Sequence, residues 1–154
     1  MKKNILILTG SPRKNGNSDM LARAFADGAE SKGHVVTIFS TAKNMDGCQA
    51  CDSCWSKGHA CSFTDAFTDL EPLLEQADVV VFATPLYWFG FSSQIKAAID
   101  RLYAYESPRR LRSLNVAESV LLACAGEPSD AHVFDGLVST FASMICPSMH
   151  TVLL

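Results

Sequence analysis

Short apolar runs alternate with stretches of helical period along the whole chain. Asn4-Ile5-Leu6-Ile7-Leu8 is nearly all apolar and of strand length, the mark of a strand buried on both faces. From Ser18, apolar residues recur at Leu21, Ala22, Phe25 and Ala29, which predicts a helix over about residues 18–31. Lys32-Gly33 supplies its stop. Residues 34–39 are β-branched and aromatic, hence a second strand. A polar, cysteine-bearing segment spans about residues 41–63, with Gly47 and Gly58 as turn points. Thr68-Asp69-Leu70-Glu71 has capping-box form and leads into Leu73, Leu74 and Ala77. Pro72 is tolerable only near the first turn of that helix. Residues 78–83 form the clearest strand, and Thr84-Pro85 is expected to end its pairing. Ser92 or Ser93 caps a helix through Ile95, Ala98, Ile99 and Leu102, ahead of a basic connection at residues 107–112. Residues 116–123 read as a fourth strand and 126–130 as a turn and helix start. Val133, Leu137, Val138 and Phe141 give that helix its apolar face, and residues 151–154 read as a fifth strand.

Strands alternating with helices make the class α/β with a parallel sheet. Right-handed crossovers then place helices on both faces of a doubly wound, open sheet, whose ligands sit beyond the carboxyl ends of the strands. No repeat, linker or low-complexity tract divides residues 1–154, so one domain is expected.

Composition narrows the function classes. With 48% hydrophobic and 19% charged residues the chain is ordinary for a globular protein. A net charge of −3 and the lack of a basic stripe give no reason to expect nucleic acid. No stretch approaches a membrane span. Met1-Lys2-Lys3 with the following apolar run is too short for a signal peptide, and no small-residue cleavage site follows. A cytoplasmic location is expected, where structural disulfides are uncommon. The six cysteines therefore need another explanation. Cys124 and Cys146 stand alone in apolar company as small buried hydrophobes.

Three loops should meet at the crevice. In Gly10–Ser18 the hydroxyls and amides of Ser11, Asn15, Asn17 and Ser18, with Arg13, precede a helix start. Free backbone N–H groups and the positive helix end there suit a phosphate. No Walker lysine and no Gly-x-Gly-x-x-Gly is present, which disfavours a triphosphate and leaves a terminal monophosphate as the better fit. An ordinary polar βα turn is the competing reading. In the second loop, Pro85, Leu86, Tyr87, Trp88 and Phe89 are unusually apolar and aromatic. They could border a flat heteroaromatic ring, line a subunit interface, or do both. The third loop, Cys124-Ala125-Gly126-Glu127, is small enough for Ala125 and Gly126 to approach a ring edge.

Cys48, Cys51, Cys54 and Cys61, spaced by two, two and six residues, could wrap one compact metal centre. The spacing is close to ferredoxin-type ligation of a 4Fe-4S cluster. Zinc ranks second, because structural zinc prefers two separated Cys-x-x-Cys knuckles. Unligated or redox-active thiols remain open, and His59 reads as a solvated loop residue.

Gly10-Ser11-Pro12-Arg13 with Asn15, Asn17 and Ser18 resembles the FMN-phosphate loop of the NAD(P)H-dependent FMN reductase family. Thr84-Pro85-Leu86-Tyr87 with Lys96, Asp100 and Arg101 resembles its second signature, Pro-x-Tyr followed by a Lys-x-x-x-Asp-Arg helix. The resemblance covers nearly the whole chain. It implies a flavodoxin-like fold of five parallel strands in the order 2-1-3-4-5, with FMN at the switch point. It also implies an oxidoreductase passing hydride from NAD(P)H to FMN and on to a small-molecule acceptor or redox protein. The cofactor carries that chemistry, so no side chain is named as catalytic. Asp100 and Arg101 read as structural. The cysteine motif resembles that of the iron–sulfur flavoproteins, a branch of the same family, which keeps open an electron carrier with a 4Fe-4S cluster. A simple flavodoxin is less favoured, since flavodoxins carry a Thr-rich loop and a strongly acidic surface. Relatives usually continue past the fifth strand into a final helix. Without it one sheet face needs cover, and the expectation is that a partner subunit in a homodimer or homotetramer supplies it, or that the gene is shortened.

Overall fold

The computed structural model describes residues 1–56, 60–106, 113–126, 131–144 and 150–153. The elements run in chain order β1 (Asn4–Thr9), α1 (Asn17–Ser31), β2 (Val35–Ser40), α2 (Ala66–Gln76), β3 (Val79–Tyr87), β4 (Gly90–Phe91), α3 (Ser93–Arg101), β5 (Glu118–Cys124), α4 (Asp135–Met144) and β6 (His150–Leu153). Five strands pair in parallel in the order β2-β1-β3-β5-β6, and β4 folds back antiparallel on the end of β3. This is the doubly wound sheet that the alternation of elements implies, in the flavodoxin-like order that the family resemblance implies.

Alternating side chains of the central strands feed two cores. On one face Leu6, Leu8, Val80, Phe82 and Leu121 pack with Phe67, Leu70, Leu74, Ile95, Leu137 and Phe141 of α2, α3 and α4. On the other, Ile5, Ile7, Val79, Val81 and Val120 lie under the small residues Ala22 and Ala26 of α1. Because both faces are covered, β1 reads as a continuous apolar run. Gly33 ends α1 with φ 85°, the left-handed conformation a helix stop uses.

Two local expectations differ from the structure. The helix predicted from Thr68 begins at Ala66, because Asp65 is the cap: its Oδ1 accepts the Phe67 N–H at 2.9 Å. Pro72 therefore lies inside α2 rather than in its first turn. Its missing N–H and ring clash are offset by burial of Phe67, Leu70 and Leu74, each no more than 1% exposed. Pro85 likewise does not end its strand. β3 runs on to Tyr87, with Pro85 opposite Cys124 of β5. On its other side the β1 ladder has already finished at Thr9 opposite Ala83, so proline faces an open edge there. The basic connection at 107–112, the turn at 127–130, Gly58, His59, Cys146 and Leu154 lie outside the described residues.

Candidate functional site

The carboxyl ends of β1, β3 and β5 meet around Gly10, which is tied to both of its neighbours. Its N–H donates to the Ala83 carbonyl at 2.8 Å. Its carbonyl accepts the Ser92 hydroxyl at 2.6 Å, and the Ser92 N–H reaches Thr84 Oγ1 at 3.3 Å. Ser92 also caps α3 and, like Thr84, is fully buried. One hydroxyl thus fastens the first loop to the second.

The first loop then turns on its own side chains. Ser11 is buried, and its Oγ accepts the Arg13 N–H at 3.1 Å while donating to the Arg13 carbonyl at 3.0 Å. Asn15 adopts φ 58°, a conformation asparagine tolerates, and its N–H donates to Asp19 Oδ2 at 3.0 Å. Gly16 opens α1 with no side-chain cap, so the first-turn N–H groups of Asn17, Ser18 and Asp19 face the loop. Arg13, Lys14, Asn15 and Asn17 are exposed around that helix end, whereas Ser18 is 1% exposed. Ser18 touches Cys124 of the third loop, whose thiol is pushed up by burial, against the pull of that contact. The loops at Gly10–Ser18 and Cys124–Gly126 are therefore adjacent, with Ala125 half-buried and Gly126 exposed.

The second loop is a hairpin that no turn signal announces. Tyr87 pairs with Gly90, and the two residues between them, Trp88 and Phe89, have φ 46° and 64°. Such two-residue turns normally use Asn-Gly, and two bulky aromatics in left-handed conformations store strain. Trp88 is 95% and Phe89 59% exposed, with their rings edge to face at 6.2 Å. Pro85 and Leu86 are half-buried behind them. The Phe89 carbonyl sits so close to α4 that a β-carbon on Gly136 would meet it at 2.9 Å.

The cysteine segment docks beyond the far end of α3. Arg101, 2% exposed, donates from Nη1 to Asp65 Oδ2 at 2.6 Å and to the Asp46 carbonyl at 3.3 Å, and from Nη2 to the Phe63 carbonyl at 3.4 Å. Its guanidinium lies 4.3 Å from the centre of the Phe67 ring and also reaches the Cys61 sulfur. Asp65 accepts the Asp46 N–H as well, at 3.0 Å, so both ends of the segment are clasped together. Burial pushes the Asp65 carboxyl up, but Arg101 and the two N–H donors hold it below its ordinary value. Farther along, Trp55 stacks on Tyr103 at 4.8 Å, and the Tyr103 hydroxyl donates to Asp52 at 3.3 Å.

Between these anchors lies a shallow, open pocket whose lining includes Cys48, Cys51, Cys54 and Cys61. Cys51 is held below the ordinary thiol range by the N–H and hydroxyl of Ser53. Cys54 is pushed up by burial and by the neighbouring sulfurs. Among the described residues no three ligating side chains converge closely enough to hold a single metal ion. The donor set nonetheless suits a larger sulfur-rich group. Two residues of the lining, Ser62 and Arg101, each carry a buried polar atom with no hydrogen-bond partner, Oγ and Nε respectively. Sequence reasoning missed the Asp65 and Ser62 contributions. An aspartate two residues before Phe67 was the available signal for the first, and nothing in the pattern marks the second.

Residues 3–144 match the family model described as NADPH-dependent FMN reductase. An iron–sulfur flavoprotein of Archaeoglobus fulgidus is 31% identical over 124 residues, which is 80% of this chain and 56% of that protein. A second iron–sulfur flavoprotein of that organism is 36% identical over 101 residues, 65% of this chain and 51% of that one. The chain thus spans about half the length of the curated relatives it matches. Among solved structures, the NAD(P)H:quinone oxidoreductase from Methanothermobacter marburgensis superposes with a TM-score of 0.75 at 17% identity, covering 100% of this chain and 84% of that one. At that identity the likeness establishes the fold.

Proposed function

Because the chain belongs to the NADPH-dependent FMN reductase family, we propose that it is an FMN-dependent NAD(P)H oxidoreductase with its flavin in the crevice beside Gly10. The observation that carries this reading is the uncapped start of α1 facing a loop pinned by Ser92. A phosphate monoester placed there takes the N–H groups of Asn17 and Ser18, with the Asn15 and Asn17 amides and the Arg13 guanidinium around it. Ser11 shapes that loop through its two bonds to Arg13. Pro85, Leu86, Tyr87, Trp88 and Phe89 supply the wall for the ring, and Ala125 and Gly126 its opposite edge. Bound FMN supplies the hydride chemistry between a nicotinamide donor and a small acceptor. The side chains bind, orient and exclude water; none is needed to move a proton. Among the described residues no helix is long and apolar enough to cross a membrane. Assembly as a homodimer or homotetramer belongs to the same reading, with Trp88 and Phe89 offering apolar surface at the crevice; sedimentation as a monomer counts against it. Reconstitution with FMN should give a yellow protein that oxidises NADPH or NADH, and failure to retain FMN overturns the proposal.

A second reading rests on the pocket that all four clustered cysteines line. In it the protein is an iron–sulfur flavoprotein whose 4Fe-4S cluster is held by Cys48, Cys51, Cys54 and Cys61, and which passes single electrons between redox proteins. The four thiolates would hold that group, and it would supply one-electron transfer beside the flavin. Iron and acid-labile sulfide in anaerobically reconstituted protein support it; thiols that bind neither remove it.

A further inference from the structure

Buried polar atoms in proteins nearly always find partners, and an exception marks strain, a functional role, or a place for a water, an ion or a ligand. Among the described residues the buried side-chain atoms without one are Ser62 Oγ, Gln94 Oε1, Arg101 Nε and Ser119 Oγ. Gln94 and Ser119, on α3 and β5, are not among the residues lining the four-cysteine pocket. Ser62 and Arg101 both line the four-cysteine pocket. Ser62 follows Cys61 directly, and Arg101 reaches the Cys61 sulfur while its two terminal nitrogens are committed to Asp65, Asp46 and Phe63. The guanidinium is thus immobilised by four acceptors and a ring face, with one N–H left over. A fixed charge and two spare donors beside clustered thiols suit sulfur atoms carrying negative charge.

We propose that Ser62 and Arg101 are positioning and tuning residues of this pocket, donating hydrogen bonds from Oγ and Nε to the sulfur atoms of an iron–sulfur group held by the cysteines. The assignment rests on the second reading above and extends it from the ligands to the groups behind them. Donors and positive charge beside the sulfurs favour the more negative, reduced state and so raise the reduction potential. Arg101 also acts on the protein itself. By clasping Asp46, Phe63 and Asp65 it fixes the two ends of the segment whose four cysteines line the pocket.

The test uses full-length protein reconstituted anaerobically with ferrous iron and sulfide, with FMN content measured in parallel. Ser62→Ala removes one hydroxyl from a half-buried site and is expected to fold, keep FMN and load iron fully, with a potential more negative than wild type. Arg101→Lys keeps a charge for Asp65 but loses the fork; it is expected to keep FMN and release iron to a chelator about tenfold more readily. Wild-type potential in Ser62→Ala together with wild-type iron retention in Arg101→Lys overturns the proposal and leaves the cluster reading standing. Wild-type protein that binds FMN yet takes up no iron or sulfide overturns both. Parallel loss of FMN and iron in Arg101→Lys, with an unshifted potential in Ser62→Ala, makes these residues scaffold only and also overturns it.

Discussion

A β-carbon on Gly10 would lie 2.7 Å from Ser92 Oγ and 2.8 Å from Ile95 Cβ, well inside contact distance. Gly10→Ala must push the start of α3 off the end of β1, breaking the bond by which Ser92 holds the loop. The expected cost is about 1–3 kcal/mol, with a loss of FMN affinity larger than that stability change alone explains. Urea unfolding and flavin titration of the same sample measure the two effects. Asp65 offers a pH signature. Its carboxyl lies below its ordinary value in the folded chain, so its stabilisation is complete above about pH 4. That stabilisation drains as pH falls through the lower folded value. The stability gap between wild type and Asp65→Asn should therefore be widest near neutrality and close on acidification, as read by urea midpoints from pH 7 downward. A gap that stays constant would remove Asp65 from the clasp. The polar turn at Gly10–Ser18 was legible because its residue types announce local chemistry. The Asp65–Arg101 pair was not, since 36 residues separate partners that only the packing of α3 beside α2 brings together.

Among the elements, the β3–β4 hairpin departs furthest from what its sequence suggests. Pro85 reads as a terminator and Trp88-Phe89 carries no turn signature, so nothing in the pattern marks Gly90-Phe91 as a strand. β3 survives its proline because β1 stops before Pro85, a fact of register that a single chain pattern does not contain. Replacing Trp88-Phe89 by Asn-Gly should relieve about 1–3 kcal/mol of backbone strain per residue, less the ~0.5–1.5 kcal/mol of the ring contact it deletes. A raised unfolding midpoint with weakened flavin binding is the expected pair of results. A variant that is both more stable and equally good at binding FMN would show that these aromatics do not border the ring. In α2, Phe67→Ala should cost about 3–5 kcal/mol, because the ring is fully buried and also supports the Arg101 guanidinium. Thermal unfolding checks this, and a cost below about 1 kcal/mol would contradict the packing described.

Across the whole molecule, the two-faced core follows from the alternation of elements, whereas the strand order was legible only through the family resemblance, since alternation alone allows more than one order. The relation between the two sites was not legible. α3 links them: its first cap holds the loop at Gly10, and its last residue holds the cysteine segment. Yet the segment is fastened at its own base, where Asp46 meets Asp65 and the Ala66 N–H meets the Asn44 carbonyl at 3.1 Å. A loop closed at its neck can change length or content at little expense, since doubling a flexible loop costs only about 0.6 kcal/mol. Exchanging residues 47–59 for a short Gly-Ser linker should abolish iron uptake while FMN content and the unfolding midpoint stay near wild type. In evolutionary terms the neck behaves as a socket. A lineage could plug in one insert, trim it to a bare turn, or trade it for another, while the sheet and the Gly10 loop beneath are inherited intact.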